Sequence, residues 1–596
     1  MSTSYTPRHS RRGDSAVMER PQASSAPAQT STHHHGGEAS HTNILLLFIG
    51  LMIIMLMSSL NQTVLSPSLP TIVGELNGVE HMSWVITAFI LVSTIMMPVY
   101  GKLGDLWGRK PLLVFAIIAF AGGSLTGAVA QDMTTLIISR GLQGLGGGGL
   151  MILSQAVIAD VIPARDRGKY MGALMGVFAF SSVAGPLLGG WLTEGPGWRW
   201  GFWMNLPLAA LALFAAIFLI PHTNKSVRTE RSKIDVLGMA LLAAATACLV
   251  LAMTWGGNQY DWGSPTIVGL LIATVVAVAV FIPVEAKVAE PVMPLTLFKD
   301  RNFNLTTIAS LCMGIAMFGA IGYMPTYMQM VLGVSATQAG LLMIPMMGTM
   351  LVTSVTVGAV VSKLGRYKAF TVIGSLFIAA GLFFLSRLEV QTPTWEICVC
   401  LALIGLGLGM SMQLLTLIVQ NSFPISMVGT ATASSNFFRQ VGATIGSALV
   451  GGLFTARLTT FLGERLPVQA MSDGGGANSL TPALVNALPG PIHDIIVNSY
   501  NEALTPIFLW IMPLGVLAAL LLMFIVEKAL ATTVGESGTT SQAAGDESSE
   551  SIRDEEPARV GGRDERDRAD GEDPEERSPR TGEIPIPETG SMMPTR

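Results

Sequence analysis

The chain has 596 residues, of which 50% are hydrophobic and only 13% are charged, and its mean hydropathy is +0.53. Soluble domains carry about 25% charged residues, so this composition excludes a soluble protein and predicts one with many membrane spans. The net charge is −5, but residues 531–596 alone hold 17 acidic and 8 basic side chains, which leaves the rest of the chain mildly positive.

The two ends of the chain are polar. Residues 1–42 precede an apolar run of about two dozen residues, longer than the core of a signal peptide, so we expect an uncleaved first span. Residues 528–596 contain too few large apolar side chains to offset the entropy of ordering, and we predict that both tails are disordered and cytoplasmic. His33 to His35 lie in such a tail, and all four cysteines lie in apolar runs, so we expect no metal site, disulfide or cofactor.

A helix needs about 20 apolar residues to cross roughly 30 Å of hydrocarbon, where it satisfies its own backbone hydrogen bonds. Fourteen segments meet this requirement, and the ninth is long enough to include some loop. They lie near residues 43–66, 82–101, 110–130, 134–159, 169–192, 203–221, 235–254, 264–285, 304–332, 338–361, 368–386, 396–420, 428–455 and 504–527.

The orientation follows from lysine and arginine, which remain on the cytoplasmic side when they lie in short loops. With the amino terminus inside, the inner loops hold sixteen such residues, and the outer loops hold only Arg199, Arg387, Arg457 and Arg465. Nine of the ten tryptophans lie at outer ends or in outer loops, and Trp107 is the exception. We therefore expect a multi-pass plasma-membrane protein with both termini in the cytoplasm.

The chain contains an internal repeat. A shift of 261 residues brings Lys102-Leu103-Gly104 onto Lys363-Leu364-Gly365 and Gly144-Leu145-Gly146 onto Gly405-Leu406-Gly407. The same shift brings Pro163 onto Pro424, Gly168 onto Gly429 and Gly185 onto Gly446.

The repeat predicts an all-α membrane protein made of two parallel six-helix bundles, over residues 43–221 and 304–527. A linker over residues 222–303 carries two inserted spans, and residues 456–503 form an extracellular loop. Parallel repeats of this kind are a transporter plan, with the substrate site at the midplane between the bundles.

The loop after the second span reads Gly101-Lys102-Leu103-Gly104-Asp105-Leu106-Trp107-Gly108-Arg109-Lys110. This order of glycines, acid and cations resembles motif A of the major facilitator superfamily of membrane transporters. The resemblance implies that fold, and it implies gating roles for Gly101, Asp105, Gly108, Arg109 and Lys110.

The fourth span contains Arg140-Gly141-Leu142-Gln143-Gly144-Leu145-Gly146, which resembles motif B of the same superfamily. A guanidinium inside a span is costly and should face protein or water, so Arg140 is a candidate for the transport cavity, with Gln143 on the same helical face. The alternative is an arginine close enough to a helix end to reach the membrane surface. Residues 144–149 also fit the dinucleotide pattern G-x-G-x-x-G, but no strand precedes them, and small residues here favour close helix packing.

The fifth span ends in Gly185-Pro186-Leu187-Leu188-Gly189-Gly190, which is similar to motif C, the exporter motif of the superfamily. Proline bends a helix, and glycines let neighbouring helices approach closely. The segment from Trp198 to Pro207 resembles the entry to the sixth span of fourteen-span drug:proton antiporters. The resemblance covers nearly all of residues 43–527 and implies export of small molecules by alternating access, coupled to proton entry.

The first span departs from that family. It ends in Leu60-Asn61-Gln62-Thr63-Val64, where those exporters usually carry an aspartate that is a favoured proton carrier. Asn61 can donate and accept hydrogen bonds, but it cannot load and release a proton. Polar side chains in hydrocarbon need partners, so we expect Asn61 and Gln62 to line a wet cavity; a tie between the first helix and a neighbour is the alternative.

No Asp or Glu lies deep in any predicted span. If transport is coupled to protons, we expect the carrier to be Asp105 or Asp160 at the membrane edge, or the substrate itself; Asp160, close to Pro163, can equally be a structural acid. The missing buried acid argues against a preference for cationic substrates, and the arginines suit anionic or zwitterionic solutes. Polarity within spans adds further cavity candidates: Tyr323, Tyr327, Gln413, Asn436 and Arg439.

The sequence leaves three functions open. The first is a monomeric exporter of small hydrophobic or amphipathic molecules of the multidrug or antibiotic type, with no nucleic-acid partner. The second is an exporter of a lipid, amino acid or other metabolite without the standard proton coupling. The third is a sensor or scaffold that has lost transport and uses the acidic tail as a partner site. We predict no enzymatic activity, since no nucleophile, metal or phosphate-binding constellation is present.

Overall fold

A computed structural model describes residues 41–76, 81–220, 234–257, 259–465, 485, 488 and 490–532. Within these ranges, fourteen helices or helix pairs are long and apolar enough to cross a membrane, which is the predicted number. Residues 1–40, 221–233 and 533–596 lie outside the described ranges, and with them His33 to His35 and most of both predicted tails. The helices are α1 (His41–Glu75), α2 (Met82–Trp107), α3 (Arg109–Ala128), α4 (Met133–Val161), α5 (Ala164–Glu194), α6 (Trp200–Trp203), α7 (Asn205–Phe218), α8 (Val236–Trp255), α9 (Pro265–Glu285), α10 (Arg301–Ile321), α11 (Met324–Val331), α12 (Ala336–Leu342), α13 (Ile344–Leu364), α14 (Lys368–Leu385), α15 (Thr394–Ser422), α16 (Ile425–Arg465) and α17 (Gly490–Met523).

Several helices are longer than the spans predicted for them. The first continues past residue 66 to Glu75, and two others enter the segment predicted as the outer loop 456–503: α16 ends at Arg465 and α17 begins at Gly490. The ninth segment is broken between α10 and α11. Hydropathy detects the part of a helix that matches the thickness of the bilayer, and it does not detect a helix that continues into the polar region.

The shift of 261 residues relates helices as well as motifs. It converts the bounds of α4, Met133–Val161, into those of α15, Thr394–Ser422. Packing follows the same relation: α1 packs on α5, α2 on α4, and α3 on α4 and α7, while α10 packs on α16, α13 on α15, and α14 on α15 and α17. The predicted fold of two six-helix bundles is therefore confirmed, with α1–α7 as the N-terminal bundle and α10–α17 as the C-terminal bundle.

The two bundles meet mainly along two helix pairs, α2 with α16 and α5 with α13. Glycines allow the backbones to approach closely in both pairs. A Cβ on Gly101 would lie 2.8 Å from the carbonyl oxygen of Gly429, and one on Gly168 would lie 3.1 Å from that of Gly358. We call the face at which α2 ends and α3 begins the inner face, and the opposite face the outer face.

The two inserted helices form a hairpin whose first helix, α8, packs against α2 and α16. Leu242 and Phe281 of the hairpin join Phe437 and Val441 of α16 in a small apolar cluster. The second helix, α9, has few buried side chains and exposes mainly valine and isoleucine. An apolar surface of this kind is suited to contact with lipid.

Candidate functional site

A cavity of about 100 Å³ lies between the two bundles, with walls from α1, α2, α4, α5, α10, α15 and α16. We call it the central cavity. Its walls are largely apolar and include six methionines, whose unbranched, polarizable side chains adapt to irregular shapes. Among the described residues that line it, Arg439 is the only charged one. The lining residues are Met55, Ser58, Ser59, Gln62, Phe89, Ile90, Ser93, Met97, Gly147, Met151, Met175, Phe178, Met317, Phe318, Met412, Gln413, Arg439 and Gln440.

Three of the residues predicted for a transport cavity line this one: Gln62, Gln413 and Arg439. Arg439 also donates a hydrogen bond to Asn436 Oδ1 on its own helix. Gln413 Nε2 lies 3.3 Å from the sulfur of Met175 in the opposite bundle, and Gln413 Oε1 is buried without a hydrogen-bond partner. Buried polar atoms are rarely left unpaired, so this oxygen is suited to accept a hydrogen bond from a molecule bound in the cavity.

Arg140 lies beside a second cavity of about 90 Å³, which shares three lining residues with the central cavity. Its Nε donates to the carbonyl oxygen of Val85 at 3.0 Å, and its Nη1 donates to Gln143 Oε1 at 2.6 Å. The guanidinium carbon also lies 4.6 Å from the centre of the Phe89 ring. Arg140 is 3% exposed, so it is held inside the protein and does not extend to the membrane surface.

Asn61 is buried where α1, α4 and α7 meet and is not among the lining residues of the central cavity. Its Oδ1 accepts hydrogen bonds from Gln143 Nε2 at 3.1 Å and from Asn205 Nδ2 at 3.2 Å. Gln143 Nε2 also donates to Ser124 Oγ at 2.8 Å. In this geometry Asn61 ties the first helix to its neighbours, and the adjacent Gln62 faces the cavity.

Replacement of Asn61 by aspartate should introduce or strengthen pH dependence in transport. A carboxylate can accept the two hydrogen bonds that Asn61 Oδ1 accepts, and it loses only the long donation from Asn61 Nδ2 to Gln143 Oε1 at 3.5 Å. Unlike the amide, it can bind and release a proton. The measurement is proton flux recorded together with substrate export in inverted vesicles. Asn498→Asp, the same chemical change at an exposed position, is the control. An unchanged pH response of the Asn61 variant would contradict the prediction.

A polar contact joins the two bundles beside the central cavity. Asn436 Nδ2 donates to Gln155 Oε1 at 3.2 Å, and Gln420 Nε2 lies 3.4 Å from the carbonyl oxygen of Gln155. The sequence candidates include Asn436 but neither glutamine. The sequence feature that could have identified Gln155 is an amide inside a predicted span, four residues after Met151 and therefore on the same helical face.

The two tyrosines have different surroundings. Tyr327 is fully buried in the C-terminal bundle, where its hydroxyl donates to Asn501 Oδ1 at 2.7 Å, and it does not line the central cavity. Tyr323 donates to the carbonyl oxygen of Ser447 at 3.3 Å. It borders a cleft of about 260 Å³ between α2, α8 and α16, towards the outer face.

Motif A forms a contact between the bundles that we call the inner latch, made of Asp105, Arg109, Gly429 and Thr430. The Asp105 carboxylate accepts hydrogen bonds from the backbone N–H groups of Gly429 at 3.1 Å and Thr430 at 2.7 Å, and from the Thr430 hydroxyl at 2.8 Å. These groups lie in the first turns of α16, where the helix dipole favours a negative charge. Arg109 pairs with Asp105 at 3.2 Å and with Asp160 at 2.9 Å. Both predicted proton carriers are therefore bound to the same arginine.

The remaining motif A residues shape the turn between α2 and α3. Gly108 has a φ of +89°, in the left-handed region that favours glycine. Lys110 Nζ donates to the carbonyl oxygens of Ile217 at 2.6 Å and Ile220 at 3.0 Å. The turn is thus attached to the end of α7.

Motif C lies where α5 contacts α1. A Cβ on Gly185 would collide with the Thr63 side chain, and one on Gly189 would collide with the carbonyl oxygen of Val64. Pro186 lies between them inside α5, and Gly190 has no neighbour within 4 Å of its Cβ position. Two of the three motif C glycines are therefore required by close helix packing.

The second inter-bundle helix pair, α5 with α13, is also closed at the inner face. Ser362 Oγ donates to Asp166 Oδ1 at 2.8 Å, and Arg165 Nε donates to the carbonyl oxygen of Ser362 at 3.1 Å. In the described ranges, hydrogen bonds between the bundles lie at the central cavity or on its inner side. The central cavity is thus separated from the inner face.

Two parallel six-helix bundles around a central cavity, with one face closed, define this chain as a membrane transporter. The family model of the Major Facilitator Superfamily matches residues 51–447, and the chain belongs to that superfamily.

Several proteins resemble the chain over most of its length. An uncharacterized MFS-type transporter of Mycobacterium tuberculosis (strain H37Rv) is 38% identical over 490 residues, which are 81% of this chain and 70% of that protein. In Bacillus subtilis (strain 168), the multidrug transporter protein MdtP is 37% identical over 442 residues, or 73% and 81% of the two chains. Multidrug resistance protein 3 of the same strain is 31% identical over 493 residues, or 81% and 96%.

Solved structures with lower identity share the fold. The human organic anion transporter MFSD10 has a TM-score of 0.54 at 14% identity, covering 80% of this chain and 99% of that one. The proton:xylose symporter XylE has a TM-score of 0.51 at 17% identity, covering 84% and 99%.

Proposed function

We propose that the protein exports small hydrophobic or amphipathic molecules of the multidrug type across the plasma membrane by alternating access, coupled to proton entry. The observation that carries this proposal is the methionine-lined central cavity, to which both bundles contribute. Flexible apolar walls suit ligands of varied shape. Two B. subtilis relatives named for multidrug transport or resistance support the same function.

The transport step is a rocking of the two bundles about the cavity. In the present conformation the inner latch and the α5–α13 contacts close the inner face. Loading from the cytoplasm requires Asp105 to leave the amino-terminal end of α16 and Asp166 to part from Ser362. We place the inner face, and both termini, in the cytoplasm on the basis of the loop charges, and we take the transporting unit to be a monomer.

The cavity charge favours some substrates over others. Arg439 supplies a positive charge, and none of the described lining residues is an acid that would hold a cation. Neutral and anionic amphiphiles therefore suit the site better than cations.

A second candidate is export of a metabolite without the standard proton coupling. The amide of Asn61, at the position where fourteen-span antiporters usually carry an acid, favours it. Export from loaded vesicles with and without a pH gradient separates the two candidates, because only the first is accelerated by the gradient.

Filling the central cavity should abolish export without unfolding the protein. Met151→Trp places a bulky ring in a cavity of about 100 Å³, at a partly buried position where the flexible neighbouring methionines can move aside. We expect export of a fluorescent amphiphile from loaded cells to fall at least tenfold, with little change in thermal stability. Met523→Trp, on the exposed surface of α17, is the matched control. Export that survives in the Met151 variant would show that the substrate takes another route.

A further inference from the structure

The inserted hairpin has two buried carboxylates at its inner end that belong to neither the central cavity nor the inner latch. Asp235 directly precedes α8 and is 5% exposed, and Glu285 ends α9 and is 2% exposed. A Cβ on Gly238 would collide with Asp235 Oδ2 and would lie 3.0 Å from Glu285 Oε1. The two carboxylates therefore border the same small space beside Gly238.

Protein donors satisfy only part of this pair. Asp235 Oδ1 accepts a hydrogen bond from the backbone N–H of Gly238 at 2.8 Å, but Asp235 Oδ2 is buried without a partner. Glu285 accepts hydrogen bonds from the backbone N–H groups of Met293 and Val292, and the contact with Met293 is long, at 3.4 Å to each carboxylate oxygen.

No cation is paired with either carboxylate in the described ranges. Lys102 of α2 is the cation that acts on Glu285, but its Nζ lies 2.6 Å from Glu290 Oε2 in an ion pair. From α16, the other helix packed against the hairpin, the residues in the shared cluster are the apolar Phe437 and Val441. Glu290 offsets part of the charge of Lys102, and the amino-terminal end of α8 favours the charged form of Asp235.

Two carboxylates in one buried space resist double ionisation, because like charges repel and burial disfavours the charged forms. We propose that Asp235 and Glu285 share one proton and are the proton-binding site of the transporter. The inference rests on the proposed proton-coupled export and gives it a carrier other than Asp105 or Asp160.

The proton links the hairpin to the inner latch. Its release breaks one carboxyl O–H bond, passes the proton to water and adds one negative charge to the pair. The added charge attracts Lys102 away from Glu290. Lys102 lies in the same helical turn of α2 as Asp105, so its displacement is transmitted to the contact between Asp105 and α16. Proton uptake reverses the sequence.

Neutral replacements test the site. Asp235→Asn and Glu285→Gln keep the acceptor oxygens for Gly238 and Met293 but cannot release a proton. We expect the export rate of the wild-type protein in proteoliposomes to vary with pH on the inner side, and this dependence to be lost in each variant. Substrate counterflow needs no proton gradient and should continue in both variants. The pH dependence of export should be lost in the double variant as it is in each single variant. Asp261→Asn, an exposed acid in the outer loop of the same hairpin, should behave as wild type.

Infrared titration of the purified wild-type protein tests the pair without reference to transport. We expect the C=O band of a protonated carboxyl group to disappear as the pH is raised, and this band to be lost or shifted in Glu285→Gln but not in Asp261→Asn. Absence of such a titrating band from the wild type, or a wild-type pH profile in both neutral variants, would overturn the inference. If the wild-type protein shows no substrate counterflow, the proposed function is contradicted. The infrared result would still decide whether the pair binds a proton.

Discussion

Replacement of Asp105 by asparagine will open the inner face and lower export at least tenfold. The carboxylate accepts three hydrogen bonds from Gly429 and Thr430 and pairs with Arg109. Asparagine lacks the charge and turns an NH₂ group towards backbone donors. Hydrogen bonds to charged groups contribute about 1.5–3 kcal/mol each, and about 1.4 kcal/mol is a tenfold change in a conformational equilibrium. The population of the closed state relative to the open state therefore falls at least tenfold.

The measurement is access from the inner side to the central cavity. A Gln413→Cys reporter, in a chain whose four native cysteines have been replaced, is treated with a membrane-impermeant thiol reagent in inverted vesicles. We expect much faster labelling in the Asp105 variant. Asp261→Asn is the control, because Asp261 is an exposed acid in the outer loop of the hairpin and takes no part in the contacts that close the inner face. Equal labelling of the wild type and the Asp105 variant would show that the latch does not hold the inner face closed.

Leucine at position 189 will prevent assembly of the N-terminal bundle, whereas leucine at position 190 will be tolerated. A Cβ on Gly189 would collide with the carbonyl oxygen of Val64 and would lie 2.8 Å from Pro67 Cγ, and a backbone atom cannot move aside as a side chain can. Overpacking costs about 1–3 kcal/mol in a core, and a leucine here would force α1 and α5 apart. Gly190 has open space at its Cβ position.

The two variants differ by one position in the same helix, so intrinsic helix propensity changes equally in both. The yield of monodisperse protein in detergent and its Tm measure the outcome. We expect little or no folded Gly189→Leu protein and a Gly190→Leu protein close to wild type in stability. Similar stability of the two variants would contradict close α1–α5 packing at motif C.

The fold was largely predictable, and the site only in part. Runs of apolar residues identify the spans, and the shift of 261 residues identifies the duplication. Among the site candidates, Gln62, Gln413 and Arg439 lie in the central cavity, while Asn61 and Tyr327 are tied into bundle interiors. Polarity within a span shows that a side chain needs a partner, but it does not show whether water, substrate or another helix is that partner.

The sequence by itself determined the number of spans, the repeat and the superfamily, because hydropathy and short motifs are properties of neighbouring residues. Only the tertiary structure decided that Asn61 binds Gln143 and Asn205, and that Asp235 lies beside Glu285. Those contacts join residues on different helices, and they depend on how each helix is rotated about its axis when it packs. Such rotation is set by the fit of side chains across many helix surfaces together, which no single stretch of sequence records.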